Sequence, residues 1–134
     1  MAEPVVPMAV KLGLRDGSSV VILHPPRDLD LELPPSVVVH HRAQARCDVV
    51  VAFYTRHALL EKRFDALRAM VFPSGGLWIA WPKRSSRVAT DITDHSVRGL
   101  ALPRGLVDNK VCAMDETWTG LRLVWRRELR RPRS

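Results

Sequence analysis

The stretch from Gly75 to Lys83 constrains the fold of this chain more than any other. Five consecutive apolar residues, Leu-Trp-Ile-Ala-Trp, lie there between a glycine turn and a proline. An apolar run without alternation is typical of a strand buried on both faces, as in the middle of a parallel sheet. Two similar runs, Val20–Leu23 and Val49–Phe53, predict neighbouring strands. The sequence therefore predicts an α/β fold built around this central strand.

The segments between these runs predict the main helices. Apolar residues at helical spacing predict a long helix over residues 56–71, and its apolar face is expected to consist of Leu60, Phe64, Leu67 and Val71. A second helix is expected over residues 94–102, capped by a side-chain oxygen of Asp91 or Thr93. Proline before it and glycine after it predict a short helix between Pro7 and Gly13.

The remaining segments predict one more parallel strand and a hairpin. Residues 36–40 hold a continuous valine run, and residues 27–33 are expected to form one helical turn. Strands over 110–114 and 121–127 are joined by a short turn, so they must be antiparallel. The predicted architecture is three layers around about six strands, mostly parallel, with an antiparallel hairpin at the C-terminal end.

The length of 134 residues predicts a single domain over residues 1–127, followed by a basic flexible tail over 128–134. Much of the formal charge of +7 comes from the C-terminal end. Clustered arginines there could bind nucleic acid without sequence preference. The nucleic-acid candidates are Arg126, Arg127, Arg130, Arg131 and Arg133.

Several chemistries lack their sequence signatures. Cys47 and Cys112 lie far apart and have no metal-ligand spacing, which argues against a disulfide framework and a zinc site. His40 and His41 are adjacent on a strand and would point to opposite faces. No serine elbow or phosphate-binding loop occurs, and no apolar run approaches the ~18 residues of a membrane span. We predict no catalytic residue, metal, cofactor or membrane contact, and a cytoplasmic location.

The order of the predicted elements resembles the Rossmann-like S-adenosylmethionine-dependent methyltransferases. The segment Phe72-Pro73-Ser74-Gly75-Gly76-Leu77-Trp78 is similar to the proline–glycine–glycine turn that precedes a strand in that family. The resemblance implies a strand order of 2-1-3-4-6-5. It also exposes two departures. The turn after the first strand, residues 24–28, contains no glycine, and His40-His41 stand where the family places a ribose-binding acid.

A closer resemblance is to a small bacterial family known as domain of unknown function 3052. It is carried by four blocks, Gly76–Lys83, Val88–Thr93, Gly105–Ala113 and Asp115–Arg122. This resemblance implies no activity, substrate or catalytic residue.

Ligands of open parallel sheets bind at the carboxyl ends of the strands, and polar and aromatic residues are predicted to meet there. The predicted ligand or partner surface consists of His24, Tyr54, Thr55, Lys83, Arg84, Asp91, Asp115, Glu116 and Trp118. Several of these have purely structural alternatives. Asp91 could only cap a helix, Lys83 and Arg84 could be solvated loop charges, and Asp115 and Glu116 could only form the hairpin turn.

These observations predict a non-catalytic binding or regulatory module on a degenerate methyltransferase-like scaffold. Its partner would be a protein or a small polar ligand, and the chain itself would be a monomer or a weak homo-oligomer. One alternative is an S-adenosylmethionine-dependent methyltransferase. The other is a nonspecific nucleic-acid-binding protein that acts through its arginine-rich tail.

Overall fold

The computed structural model describes residues 7–130. The strands are β1 (Ser19–Leu23), β2 (Val38–His40), β3 (Val49–Phe53), β4 (Gly76–Pro82), β5 (Leu106–Ala113) and β6 (Trp118–Trp125). The α-helices are α1 (Met8–Leu12), α2 (His57–Met70) and α3 (Asp94–Ala101), and short 3-10 helices span Arg84–Ser86, Leu102–Arg104 and Arg127–Leu129. No helix among the described residues is both long and apolar enough to cross a membrane.

All six strands form one sheet in the order β2-β1-β3-β4-β6-β5. The four strands β2, β1, β3 and β4 are parallel to one another. Strand β6 runs antiparallel to both β4 and β5. The predicted α/β fold, its strand order and its C-terminal hairpin are therefore confirmed.

Both faces of the sheet are covered, as the unbroken apolar runs predicted. Helices α2 and α3 cover one face. The buried residues of α2 include the predicted Leu60, Phe64 and Leu67, and those of α3 include Val97 and Leu100. Helix α1 and the chain between β1 and β2 cover the other face through Leu12, Leu31 and Val37. Every residue of β4 is buried, so this strand lies at the centre of the core.

Trp78 of β4 ties the sheet to the N-terminal helix. Its side chain is fully buried, and its indole nitrogen donates a hydrogen bond of 3.2 Å to the backbone oxygen of Leu12. A buried indole N–H usually requires such an acceptor. Gly13 then ends α1 in the left-handed conformation, with a φ of 88°, as the predicted glycine stop requires.

The two predicted capping residues serve different helices. Thr93 caps α3, where its side chain accepts from the amide of Ser96 and the Ser96 side chain accepts from Thr93 in return. Asp91 instead accepts a hydrogen bond of 2.7 Å from the amide of His57, at the start of α2. The alternative that Asp91 caps α3 is therefore wrong, although the residue does bind a helix N-terminus.

Two predicted strand boundaries and one predicted helical turn need correction. Strand β5 begins at Leu106, four residues before the predicted start, because Leu106 is buried opposite Trp125 after the left-handed turn at Gly105. Strand β6 begins at Trp118, so the hairpin turn is shorter than expected. Residues 27–33 contain one hydrogen-bonded turn and then continue without helix. Their alternating leucines face the core, which a helical turn would prevent.

The chain after β6 keeps contact with the sheet. The amide of Arg126 donates to the oxygen of Gly105, and the Arg126 side chain lies 3.8 Å from Glu128. Arg130 donates from Nε to the oxygen of Trp125 at 2.7 Å. The exposed Arg127 belongs to a 3-10 helix. The other two nucleic-acid candidates, Arg131 and Arg133, lie outside the described residues.

Candidate functional site

The carboxyl ends of the parallel strands meet at one edge of the sheet, and the antiparallel β6 begins at that same edge. Strands β3 and β4 end side by side, with Phe53 in register with Ala80. Pro82 at the end of β4 is in register with Trp118 at the start of β6. The topology thus brings the ends of β1, β3 and β4 close to the hairpin, as expected for a ligand-binding edge.

A cavity of about 430 Å³ opens at this edge, and we call it the aromatic pocket. Its lining residues are His24, Phe53, Tyr54, Thr55, Leu59, Lys62, Arg63 and Trp118. The rings of His24 and Tyr54 meet edge to face with centroids 5.4 Å apart, and those of Phe53 and Trp118 do the same at 5.4 Å. Four of the predicted residues, His24, Tyr54, Thr55 and Trp118, therefore share one cavity.

His24 occupies the first position after β1 in an unusual backbone conformation. Its φ is 55°, in the left-handed region that favours glycine. The turn therefore takes a left-handed step at a histidine, followed by Pro25 and Pro26. The exposed imidazole then stands at the wall of the aromatic pocket, against the ring of Tyr54.

The charge of the aromatic pocket is positive. Lys62 and Arg63 line it from helix α2, and none of the described residues in its wall carries a carboxylate. Tyr54 is only 7% exposed. Burial raises the pKa of its phenol above the usual value, and the charge of Arg63 opposes that shift. The phenol therefore stays neutral near pH 7 and can act as a hydrogen-bond donor.

A second group of predicted residues lies apart from the aromatic pocket. Arg84 and Asp91 line a separate polar groove, formed by the end of β4 and the loop that leads to α3. A hydrogen bond holds that loop next to the aromatic pocket, since Thr90 Oγ1 donates to the backbone oxygen of Thr55 at 2.7 Å. Lys83 is half-buried, and its amide donates to the oxygen of Thr117. The predicted surface is thus two sites rather than one.

The two acids of the hairpin turn have different surroundings. The Asp115 carboxylate accepts hydrogen bonds from the amides of Thr117 and Trp118, at 2.8 and 2.7 Å. This Asx turn sets the backbone that presents Trp118 to the aromatic pocket. Glu116 is exposed and lines neither the aromatic pocket nor the polar groove.

Sequence reasoning missed four residues of the aromatic pocket as parts of a ligand site. They are Phe53, Leu59, Lys62 and Arg63. Leu59 carried a detectable signal, because it lies outside the apolar face of α2 and remains 47% exposed. Leu59 lies in the first turn of α2, three and four residues before Lys62 and Arg63, so the three side chains share one side of the helix.

No group of three or more His, Cys, Asp or Glu residues comes together as possible metal ligands within residues 7–130. Cys112 is buried, and Cys47 is half-buried. Burial raises the pKa of the Cys47 thiol to about 11, and the carboxylate of Asp48 adds to the effect. A thiol with a raised pKa is a poor nucleophile near neutral pH.

This pKa gives a test that needs one thiol only. In a Cys112→Ala variant, the alkylation rate of Cys47 by iodoacetamide should reach half its maximum near pH 11, against 9.0 for an unperturbed thiol. The folded state favours the neutral thiol, so stability should fall as the pH rises from about 9 towards 11. The same variant in denaturant is the control. A folded midpoint below pH 9 would contradict the burial of this thiol.

Comparisons with solved structures agree with the fold. The chain is similar to an S-adenosylmethionine-dependent methyltransferase from Aquifex aeolicus, with a TM-score of 0.57, 14% identity and 85% of both chains covered. It is similar to a fibrillarin pre-rRNA processing protein from Methanococcus jannaschii, with a TM-score of 0.52, 12% identity, and 91% of this chain and 70% of that one covered.

A third similar structure is magnesium protoporphyrin IX methyltransferase from Synechocystis, solved with bound S-adenosylhomocysteine. Its TM-score is 0.51 at 11% identity, with 72% of this chain and 54% of that one covered. The chain likewise spans 59% of a candidate type 11 methyltransferase from Sulfolobus solfataricus. No family model matches the chain, and no curated protein matches it. At these identities the likeness concerns architecture: the chain has a Rossmann-like, methyltransferase-like α/β fold.

Proposed function

We propose that the chain binds a small planar anion in the aromatic pocket. The observation that carries the proposal is the composition of that pocket, in which aromatic rings and two cations converge without a carboxylate among the described lining residues. A largely apolar cavity with a few convergent polar groups is the usual form of a small-molecule site. The volume of about 430 Å³ lies within the range of such sites.

The rings favour a flat ligand. His24 and Tyr54 form one wall, and Phe53 and Trp118 form another, each pair meeting edge to face. Of these four rings, the exposed His24 and the half-buried Trp118 offer surface on which a planar group could stack. The half-buried Trp118 is held by the Asp115 turn, so its ring is positioned before a ligand arrives.

The cations favour a negative charge on that ligand. Lys62 and Arg63 are exposed at the mouth of the pocket, and neither forms an ion pair among the described residues. An anionic group placed there would gain charge-assisted hydrogen bonds. The neutral phenol of Tyr54 would add a further donor deeper in the pocket.

A second candidate function is S-adenosylmethionine-dependent methyl transfer. The fold favours it, because two similar structures are methyltransferases. In addition, the aromatic pocket lies at the carboxyl ends of the strands, where such folds bind ligands. The fold comparison supports this candidate better than it supports a non-catalytic module. Against it stand the histidine turn at His24 and the cations at Lys62 and Arg63, which would repel a sulfonium.

Membership of the domain of unknown function 3052 family is supported by the four sequence blocks Gly76–Lys83, Val88–Thr93, Gly105–Ala113 and Asp115–Arg122. A cytoplasmic location and a non-catalytic role stay predictions from the sequence. Nucleic-acid binding through the tail stays a prediction, and the contacts of Arg126 and Arg130 with the folded chain leave fewer of its arginines free.

Calorimetric titration with adenosine 5′-monophosphate and adenosine tests the ligand class. The two probes share a planar base, and only the first carries an anion. We expect the monophosphate to bind at least about tenfold more tightly, the effect of one charge-assisted contact. Both titrations are made in an Arg122→Gln background, because Arg122 lies outside the aromatic pocket and could itself bind a phosphate. In that background, the double variant Lys62→Gln, Arg63→Gln should remove this difference and leave adenosine binding unchanged. Trp118→Leu should weaken both probes by about tenfold through lost stacking.

Arg84→Gln is the matched control, since it removes an exposed cation of the same edge that lies outside the aromatic pocket. It should leave both affinities unchanged. Equal affinities for the two probes, or no binding of either, would overturn the planar-anion proposal. S-adenosylhomocysteine that binds more tightly than the monophosphate, together with transfer of a labelled methyl group to protein or nucleic acid extracts, would establish the methyltransferase instead.

A further inference from the structure

A second cavity with positive charge lies at the opposite edge of the sheet, where the parallel strands begin. Its volume is about 250 Å³, and we call it the basic pocket. Its lining residues are Val10, Lys11, Gly13, Asn109, Lys110 and Arg122. It is formed by the end of α1 and by the two strands of the hairpin, so it shares no residue with the aromatic pocket.

Arg122 is fixed at the base of this pocket by the strands around it. It is in register with Trp78 on β4 and with Lys110 on β5, so its side chain lies on the α1 face of the sheet. A Cβ atom at Gly76 would stand 2.6 Å from Arg122 Nε, and one at Gly13 would stand 3.8 Å from Nη2. The guanidinium therefore packs against two glycines, and a side chain at Gly76 would displace it.

The charge of Arg122 is not compensated within the described chain. Its Nε is buried and has no hydrogen-bond acceptor. Burial lowers the pKa of the guanidinium from its usual value, and Arg130 lowers it further. Between residues 7 and 130, no carboxylate lines the basic pocket. A charge without a partner in a partly buried position is costly, so an external anion beside the guanidinium would compensate it.

The neighbouring lysine has a structural role that Arg122 lacks. Lys110 Nζ donates a hydrogen bond of 3.0 Å to the backbone oxygen of Lys11, in the last turn of α1. Lys110 thereby satisfies a backbone carbonyl at the C-terminus of α1. The same contact holds its ammonium at the mouth of the basic pocket. The Arg122 Nε, in contrast, remains without an acceptor.

We propose that the basic pocket is a second binding site, which takes a phosphate oxyanion, either free or as the end of a phosphomonoester. Arg122 would bind it through the planar fork of its guanidinium, and Lys110 and Lys11 would neutralise the remaining charge. Guanidinium groups match phosphate in a bidentate geometry, which explains why arginine is preferred at such sites. The site is independent of the aromatic pocket and of the function proposed for it.

Calorimetric titration of the whole chain with inorganic phosphate and with glycerol 3-phosphate, at constant ionic strength, tests the site. We expect both to bind, and the tighter one identifies whether the ligand is free or esterified. Arg122→Gln should raise the dissociation constant about tenfold or more, as expected when a hydrogen bond to a charged group is lost. Lys110→Gln removes an exposed cation but keeps a side chain that can donate to the oxygen of Lys11, and it should raise the dissociation constant by a smaller factor.

Two comparisons separate this site from other causes. The variant Lys62→Gln, Arg63→Gln should keep the phosphate affinity if phosphate binds at the basic pocket, and should lose it if phosphate binds in the aromatic pocket. Arg122→Lys retains the charge and loses the fork, so it should bind more weakly than the parent chain and more tightly than Arg122→Gln. The absence of phosphate binding, or an unchanged affinity in both Arg122→Gln and Lys110→Gln, would overturn the proposal.

Discussion

Replacement of Trp78 by alanine is expected to lower the free energy of unfolding by about 3–5 kcal/mol, the usual cost of removing a large buried aromatic side chain. Trp78 lies in the middle of β4 and is fully buried. Its truncation would leave a cavity between the sheet and α1, and it would leave the oxygen of Leu12 without its donor. Urea denaturation of the parent and the variant measures the difference.

One further variant separates the hydrogen bond of Trp78 from its packing, and a second variant is a surface control. Trp78→Phe keeps most of the apolar volume but removes the indole N–H, so we expect a loss of about 1–2 kcal/mol. Val111→Ala is the surface control, because Val111 is 62% exposed, and it should change stability by less than about 0.5 kcal/mol. A loss below about 1 kcal/mol in Trp78→Ala would contradict the central position of β4.

Replacement of Gly75 by alanine is expected to cost about 2–3 kcal/mol, the upper part of the range for overpacking. A Cβ atom there would stand 2.8 Å from the oxygen of Asp48 and 2.9 Å from that of Cys47. Both contacts are with backbone, which cannot move aside as a flexible side chain can. The oxygen of Asp48 also accepts the amide of Gly76 at 2.9 Å, so the clash would disturb the first pairing of β3 with β4.

Gly99→Ala is the matched control for this prediction. Gly99 lies within α3, and nothing comes within 4 Å of the position of its Cβ. Alanine there should stabilise the chain by about 0.5–1 kcal/mol, because glycine loses more backbone entropy in a helix. Opposite signs for the two glycines in thermal or urea unfolding are the expected result. A stability loss below about 0.5 kcal/mol in Gly75→Ala would refute the close approach.

The sheet could be predicted because its signal is local and redundant. The runs Val20–Leu23, Val49–Phe53 and Leu77–Trp81 are apolar on both sides, so each is specified as a central strand by its own residues. The hairpin boundaries were harder, because Asp108 and Asn109 interrupt the apolar pattern of β5. The structure accommodates them with a register shift between Asp108 and Lys110, a feature that depends on the partner strand.

The candidate site was only partly predictable. Topology alone brings His24, Tyr54 and Trp118 to one edge, because the first two directly follow β1 and β3 and the third begins β6. The side chains of Lys62 and Arg63 reach the aromatic pocket only through the rotation of α2 about its axis, which the spacing of apolar residues does not fix closely enough. Asp91 lies outside the aromatic pocket, and its carboxylate accepts a hydrogen bond from the amide of His57. This partner is 34 residues away in sequence, so local patterns could not predict the contact.

The two outer strands of the sheet determine how easily the sheets of two copies of the chain could pair edge to edge. Strand β2 has only three residues, and β5 carries charged side chains and the register shift at Asp108. Short strands, charges and bulges at a sheet edge hinder the addition of a foreign strand. Val38 and Val111 are exposed on these strands. Both outer strands nevertheless have the features by which β-sheet proteins resist edge-to-edge aggregation.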